Sequence, residues 1–191
     1  MMNKRQSIIQ ATVDVVAKQG ISDSPTSQIA KEAGAAEITL FRLFGNKQEL
    51  LNQTYDEVLH RFQEKCWNRV ENIEDLEQKL DALLKVAIKY FRKHQNELTY
   101  LQEYVHTYEG LLRRPDLQDD LGKDTSSFPL ASILHEGKTQ GVFKNLPMTG
   151  LFSLASAALI MTLRTEQIRN KRFSKKEMDL LIQACTQAVK S

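Results

Sequence analysis

Residues 24–49 read SPTSQIAKEAGAAEITLFRLFGNKQE, and the fold turns on them. The stretch predicts two short helices, a tight glycine turn between them, and the opening of a third, longer helix. Ser24 is placed to cap the first, with Pro25 at the first helical position, where its missing N–H costs nothing. Thr26 to Ala33 forms the body and puts Ile29, Ala30 and Ala33 on one face. Gly34 sits just past the last periodic residue, where a left-handed C′ conformation suits glycine. After Ala35 and Ala36, Glu37 to Phe44 makes a second helical stretch with Leu40, Leu43 and Phe44 facing inward. Asn46, with Glu49 three residues later, matches a capping box for the next helix. Two short helices across a glycine turn outline a helix-turn-helix, whose second helix enters the DNA major groove.

With Ile8, Ala11 and Gly20 upstream, the spacing of Ile29-Ala30, Ala33-Gly34, Thr39-Leu40-Phe41, Phe44, Lys47 and Leu50 resembles the N-terminal domain of TetR-like (tetracycline-repressor-type) transcriptional regulators. A plain helical hairpin in an all-α core accounts for Gly34 but not for this combined spacing. Beyond Leu50 the resemblance is one of architecture. It implies a dimeric, ligand-responsive repressor that binds a palindromic double-stranded DNA operator through residues 24–47 and is released by a small-molecule effector. It also implies that Lys47 holds the phosphate backbone. Two positions depart from the pattern. Phe41 stands where a tyrosine usually reaches a phosphate, and Ala36 stands where a serine commonly caps the recognition helix. These departures sustain an alternative: an all-α interaction or small-molecule carrier protein that keeps the fold without specific DNA binding.

The chain has 191 residues, long enough for one or two domains and a real core. Aromatic content of 7%, eight glycines and four prolines suit helices and argue against turn-rich sandwiches or barrels. A net charge of +2 does not announce nucleic-acid binding, so DNA contact must come from a local surface. Cys66 and Cys185 lack metal-type spacing, and MMNKRQSIIQ lacks the apolar run of a signal peptide, so a cytoplasmic location is expected. Asn145 to Leu163 is long and uncharged, but Pro147, Gly150 and its hydroxyl residues argue against a membrane span.

The expected fold is all-α. Residues 1–46 form a three-helix DNA-binding domain containing the helix-turn-helix, and residues 47–191 form a helical ligand-binding and dimerisation domain. A first helix over Lys4 to Gln19 carries Ile8, Val15 and Val16 at helical spacing. Its Lys4 and Arg5 are either phosphate contacts or ordinary solvated charges. Lys47 to Val70 forms a long helix, the mechanical link between the domains. Asp75 to His94 follows with a stripe of Leu76, Leu80, Leu83, Leu84, Ala87, Ile88 and Phe91. Glu97 to Leu112 reads as one helix with Leu98, Leu101, Val105, Tyr108 and Leu112 inside. Arg113 to Ser127 reads as a loop, and Pro129 to Gln140 is helical again. Met148 to Arg169 is apolar on nearly every side through its first turns, so both its sides need covering. Ser174 and Glu177 open the last helix with a capping box.

Candidate DNA contacts are Thr26, Ser27, Glu37, Thr39, Phe41, Arg42 and Lys47. Arg42 can pair bidentately with guanine or grip a phosphate, and Thr39 can reach a base edge, a thymine methyl or a phosphate. Glu37 either accepts from cytosine or favours the positive end of its helix. Thr26 and Ser27 lie in a first helical turn that suits phosphate. For a largely apolar effector, Trp67, Phe91, Tyr104, Tyr108, Phe128 and Phe152 are candidate pocket walls. For a homodimer built on the last two helices, the candidates are Leu151, Ala155, Ala158, Leu159, Leu181 and Cys185. The same two helices merely closing the monomer core is the plainer alternative. No enzyme, cofactor, metal site or membrane partner is expected. His60, His94, His106 and His135 are scattered, and Gly137-Lys138-Thr139 lacks the upstream glycine of a phosphate loop, having Ser132 instead.

Overall fold

The computed structural model describes residues 3–191, and the chain is all-α. Among these residues eleven helices follow in order: α1 (Lys4–Gln19), α2 (Thr26–Glu32), α3 (Glu37–Phe44), α4 (Lys47–Val70), α5 (Leu76–Lys93), α6 (Gln95–Val105), α7 (Tyr108–Leu112), α8 (Pro115–Asp120), α9 (Pro129–Thr139), α10 (Met148–Arg169) and α11 (Lys175–Val189). By packing, the chain divides into two units. The first holds the residues up to Arg61 together with His94–Leu111, and the second holds Phe62–Lys93 and Leu112–Ser191. That division falls inside α4, beyond the 46/47 boundary suggested by the motif.

In the first unit α1 stands between two apolar clusters. Ile8, Ile9, Ala11 and Val15 pack with Ile29, Ala30, Leu40, Phe44 and Leu50. Val13 and Val16 meet Leu51, Tyr55, Val58, Tyr100 and Tyr104. Three short helices bury too little apolar surface to stand alone, and α6 supplies the second wall. The Tyr100 hydroxyl donates to the Leu51 carbonyl at 2.7 Å, and the Tyr104 hydroxyl donates to Asn52 Oδ1 at 2.7 Å. Tyr104 also stacks on Tyr55 at 4.5 Å between ring centroids. These phenols bury their rings and still satisfy their polar ends, which fixes α6 to α4.

The start of α2 differs from the sequence expectation. Pro25 is the N-cap, and Ser24 is buried, its hydroxyl donating back to the Gly20 carbonyl at 2.5 Å. The stretch read as one helix from Glu97 to Leu112 is also broken. The Thr107 hydroxyl donates to the Tyr104 carbonyl at 2.7 Å and accepts the Gly110 N–H at 3.0 Å, so local bonds replace the helical ladder. A Cβ on Gly110 would lie 1.9 Å from the Tyr104 carbonyl oxygen, which only glycine avoids. The helical phase is lost there, and Tyr108, expected inside, is 76% exposed. Within the stretch read as a loop, Pro115 opens α8 from a first-turn position, where its missing N–H is harmless.

In the second unit α5 buries Leu76, Leu80, Leu83, Leu84, Ile88, Tyr90 and Phe91. The start of α10 is capped from a distance: the Asp120 carboxylate accepts the Met148 and Thr149 N–H groups at 2.7 and 3.0 Å. Gly137 lies within α9, where any Cβ would strike the buried ring of Phe143, so this glycine serves packing. Ser174 and Glu177 form the expected capping box on α11. By length and composition α10 is apolar enough to cross a membrane. In this chain it packs against α5, α8, α9 and α11. Its buried Glu166 accepts from Arg92 Nε at 2.9 Å and Nη2 at 2.5 Å, and from the Phe173 N–H at 2.8 Å. Burial alone would raise the Glu166 pKa, but these bonds and the charges of Arg92 and Arg172 outweigh it and hold the carboxyl below its ordinary value.

Candidate nucleic-acid interface

The turn between α2 and α3 depends on Gly34. Its φ of 59° is left-handed, and it brings the Ala35 N–H onto the Ala30 carbonyl at 2.9 Å. From this turn α3 buries Leu40 and Phe44 against the core. Helical spacing puts Ile38 and Arg42, each two residues from a core position, on the opposite side. Ile38 is 78% exposed, Phe41 is 41% exposed, and Arg42 and Leu43 are exposed with them. Leu43 was expected inside; the three-residue step from Leu40 carries it past the buried edge. Thr39 is half-buried.

Several candidate contacts are already engaged within the unit. The Thr26 hydroxyl donates to Glu37 Oε1 at 2.6 Å, tying the start of α2 to the start of α3. Ala36 offers no side-chain cap, and Glu37, in the first turn, supplies negative charge where the helix end is positive. Glu37 is thus a holder of the motif, with one oxygen committed. Ser27 is exposed on the first turn of α2. Lys47 donates to the Ile21 carbonyl at 3.0 Å, bracing the loop before α2. An ammonium carries three donors, so this contact leaves others for a phosphate.

The two cations at the head of α1 are also placed. Lys4 donates to the Gly34 carbonyl at 3.0 Å, latching α1 onto the turn. Arg5 donates to Gln53 Oε1 at 2.9 Å and lies 5.6 Å from the Phe44 ring centroid, a cation–π contact. These latches, and the exposure of Ile38, are what sequence reasoning missed. Spacing alone could have flagged Ile38, the apolar residue opposite Leu40 and Phe44.

The remaining candidates lie elsewhere. Tyr104 leaves the set of pocket walls, since its face is on Tyr55 and its hydroxyl on Asn52. Tyr108 leaves it by exposure. Trp67, Phe128 and Phe152 are half-buried in the second unit, and Phe91 packs on Phe62 at 4.7 Å. Of the dimer candidates, Leu151, Ala155, Leu159 and Cys185 face the core of their own chain and cannot also meet a partner. Ala158 is exposed and Leu181 half-buried. Around Ala158 the outward side of α10 shows Leu154, Met161 and Ile168, and α11 shows Leu180. Among the described residues no group of three or more His, Cys, Asp or Glu is placed to hold a metal ion. Burial pushes the Cys66 thiol up to about 12 and raises Cys185 as well, so neither is an activated nucleophile.

Residues 8–54 match the model of a family described as bacterial regulatory proteins, tetR family. The fatty acid metabolism regulator protein of Bacillus subtilis (strain 168) is 38% identical over 85 residues, covering 44% of this chain and 41% of that protein. The chain spans about half the length of the curated relatives it matches. A TetR family transcription regulator from Marinobacter aquaeolei VT8 has a TM-score of 0.83 at 20% identity, over 98% of this chain and 96% of that one. The transcriptional regulator FadR from Bacillus subtilis, solved with stearoyl-CoA, has a TM-score of 0.71 at 21% identity, over 96% and 97%. At these identities the likeness is one of fold.

Proposed function

We propose that this chain is a regulator of the TetR type and acts as a dimeric repressor of transcription; the match of residues 8–54 to the family model and the likeness in fold support this reading. It binds a palindromic DNA operator through residues 24–47 and is released by a small-molecule effector. The observation that carries this reading is the solvent-facing ridge of Ile38, Phe41 and Arg42 on α3, backed by a buried Leu40 and Phe44. A helix held by its core side and bare on the other is what major-groove reading requires. Arg42 supplies the bidentate donor for guanine or a grip on phosphate, and Ile38 an apolar surface for a thymine methyl. Thr39, Ser27 and Lys47 position the helix on the phosphates, while Thr26 and Glu37 keep α2 and α3 in register.

In this reading residues 1–46 bind DNA, and residues 47–191 dimerise and take the effector, with Trp67, Phe91, Phe128 and Phe152 retained as its lining. The effector is largely apolar, and an acyl chain is the class to test first. The curated relative is named a fatty acid metabolism regulator, and the FadR structure holds stearoyl-CoA. Continuous α4, beginning at Lys47 and ending near Trp67, is the lever between the two functions. A cytoplasmic location follows from work on DNA.

The test is fluorescence anisotropy with DNA from the flanks of the protein's own gene. Arg42→Ala is expected to cost about 1–3 kcal/mol per half-site and to relax sequence preference. Stearoyl-CoA should weaken the complex, and by linkage the DNA should weaken stearoyl-CoA binding by the same factor. An Arg42→Ala protein with unchanged affinity and preference would sink the assignment.

A further inference from the structure

Six cations converge on one groove of the second unit. The groove, about 620 Å³, lies between the outer face of α5 and the start of α11. Lys85, Lys89, Arg92 and Lys93 come from α5, while Arg172 and Lys175 come from the turn after α10 and the first residue of α11. The four α5 residues recur at i, i+4, i+7 and i+8, so a single helix face is basic. The whole chain carries a formal charge of only +2, so this is a local concentration.

Part of that charge is already paired. Lys85 binds Asp81 at 2.6 Å, and Arg92 is held by Glu166 and donates to the Phe173 carbonyl at 3.2 Å. Asp179 faces the groove as well. Glu177 is turned back onto the Ser174 cap. Three carboxylates therefore stand against six cations. Lys175 adds to the imbalance, because the start of α11 is itself the positive end of a helix dipole. Glu166 already faces both Arg92 and Arg172, and Asp179 faces Lys85, yet the lining keeps a surplus of positive charge that favours an anion. The floor is apolar, made by the buried side chains of Ile88, Met178 and Ile182.

We infer that this groove binds an organic anion carrying two or more phosphate groups, its phosphates among Lys89, Lys93, Arg172 and Lys175 and its apolar part over Ile88 and Met178. A lone carboxylate brings one charge against an excess of three. A phosphate group brings roughly −1.5 to −2 and three strong acceptor oxygens. Arginine forks and lysine point charges are the side chains that hold such groups. The volume suits a bound small molecule. The site stands apart from the proposed effector role in all but one respect: a coenzyme thioester and a free phosphorylated metabolite would deliver the same chemistry.

Calorimetric titration of the purified chain decides the matter, with inorganic pyrophosphate, coenzyme A, stearoyl-CoA and acetate as probes. Pyrophosphate and coenzyme A should bind, more weakly as salt rises, while acetate should not. The double variant Lys89→Glu/Lys175→Glu should lose roughly tenfold or more in affinity for both. Glutamate at the start of α11 favours the helix, so the fold should survive. Should melting show otherwise, Lys89→Gln/Lys175→Gln is read in the same way. Lys65→Glu, outside the groove, should bind as the wild type does. Failure of both phosphate probes to bind, or equal binding by the double variant, would overturn the groove whatever stearoyl-CoA does to DNA. If stearoyl-CoA binds more tightly than coenzyme A and the double variant weakens it, the phosphates belong to an acyl-thioester effector. If the phosphate probes bind and stearoyl-CoA gains nothing from its chain, the groove stands and the acyl-effector reading falls.

Discussion

Phe41 marks the edge where the surface of α3 parts from its core, with a substantial share of its ring in solvent while Leu40 and Phe44 on either side are buried. A hydroxyl at the ring edge therefore has water available, and Phe41→Tyr should change stability by no more than about 0.5 kcal/mol. In the proposed complex with DNA that hydroxyl should reach the phosphate implied by the family resemblance. Affinity should rise by about 1–2 kcal/mol per half-site, before ordering costs. A phosphate contact carries no base information, so cognate and random DNA should gain together. A neutral group releases no counterion, so the salt slope should hold. Thermal melting and a DNA titration check this; lost stability with no gain in binding would refute the docking geometry. The neighbouring residues divide in how far their sequence could be read. Leu40 and Phe44 declare themselves by spacing. The bonds from Thr26 to Glu37, from Lys4 to Gly34 and from Lys47 to Ile21 join residues 11, 30 and 26 apart, and no periodic pattern records them.

At the scale of elements, α1, α4 and α10 begin and end where the sequence pattern places them, although the start of α10 is capped by the distant Asp120. Each is long enough for its pattern to average over local accidents. The break after Val105 was not readable, because Thr107 and Gly110 act through local bonds and a close backbone approach while the apolar period continues through them. The packing of α6 in the first unit was hidden for a related reason: its Tyr100 and Tyr104 look like any core stripe until their hydroxyl partners are known. Nor did periodicity show the clamp between α5 and α10, where Arg92 meets Glu166. Its sign with pH follows from the lowered Glu166 pKa. A depressed carboxyl contributes stability that is fully present above its unfolded value and is lost as pH falls through the lower folded value. Glu166→Gln should therefore cost about 1–3 kcal/mol near neutrality, by leaving Arg92 without its charged partner. The gap between variant and wild type should close as pH drops below about 4.3, the ordinary glutamate range. Denaturant titrations across that range measure it; a gap that persists unchanged at low pH would remove the ion pair as its cause.

At the scale of the whole molecule, the proposed operator binding needs two recognition helices, and the outward side of α10 is suited to joining two chains. Leu154, Ala158, Met161, Thr165 and Ile168 follow one another at alternating steps of four and three along that side. That is the seam by which one helix packs knobs into the holes of another. Met161 is 63% exposed in the single chain, and with Leu154 and Ile168 on the same side it makes an apolar patch and not a scattered residue. In the proposed dimer a two-fold axis near Ala158 brings this seam against its copy, with Leu180 of α11 beside it. The residues turned inward, Leu151, Ala155 and Leu159, hold the same helix to its own core and keep the seam rigid. Because Ala158 is exposed in the single chain, Ala158→Arg should leave each protomer folded, with little change in its far-ultraviolet spectrum. Across the two-fold axis the same substitution buries two like charges, costing several kcal/mol. Sedimentation should then show monomers at micromolar concentration. Operator affinity should drop steeply, since the second half-site no longer benefits from the first. Binding to an isolated half-site should stay as it was, because α3 is untouched. A variant that remains dimeric at micromolar concentration would place the interface on another face of the second unit.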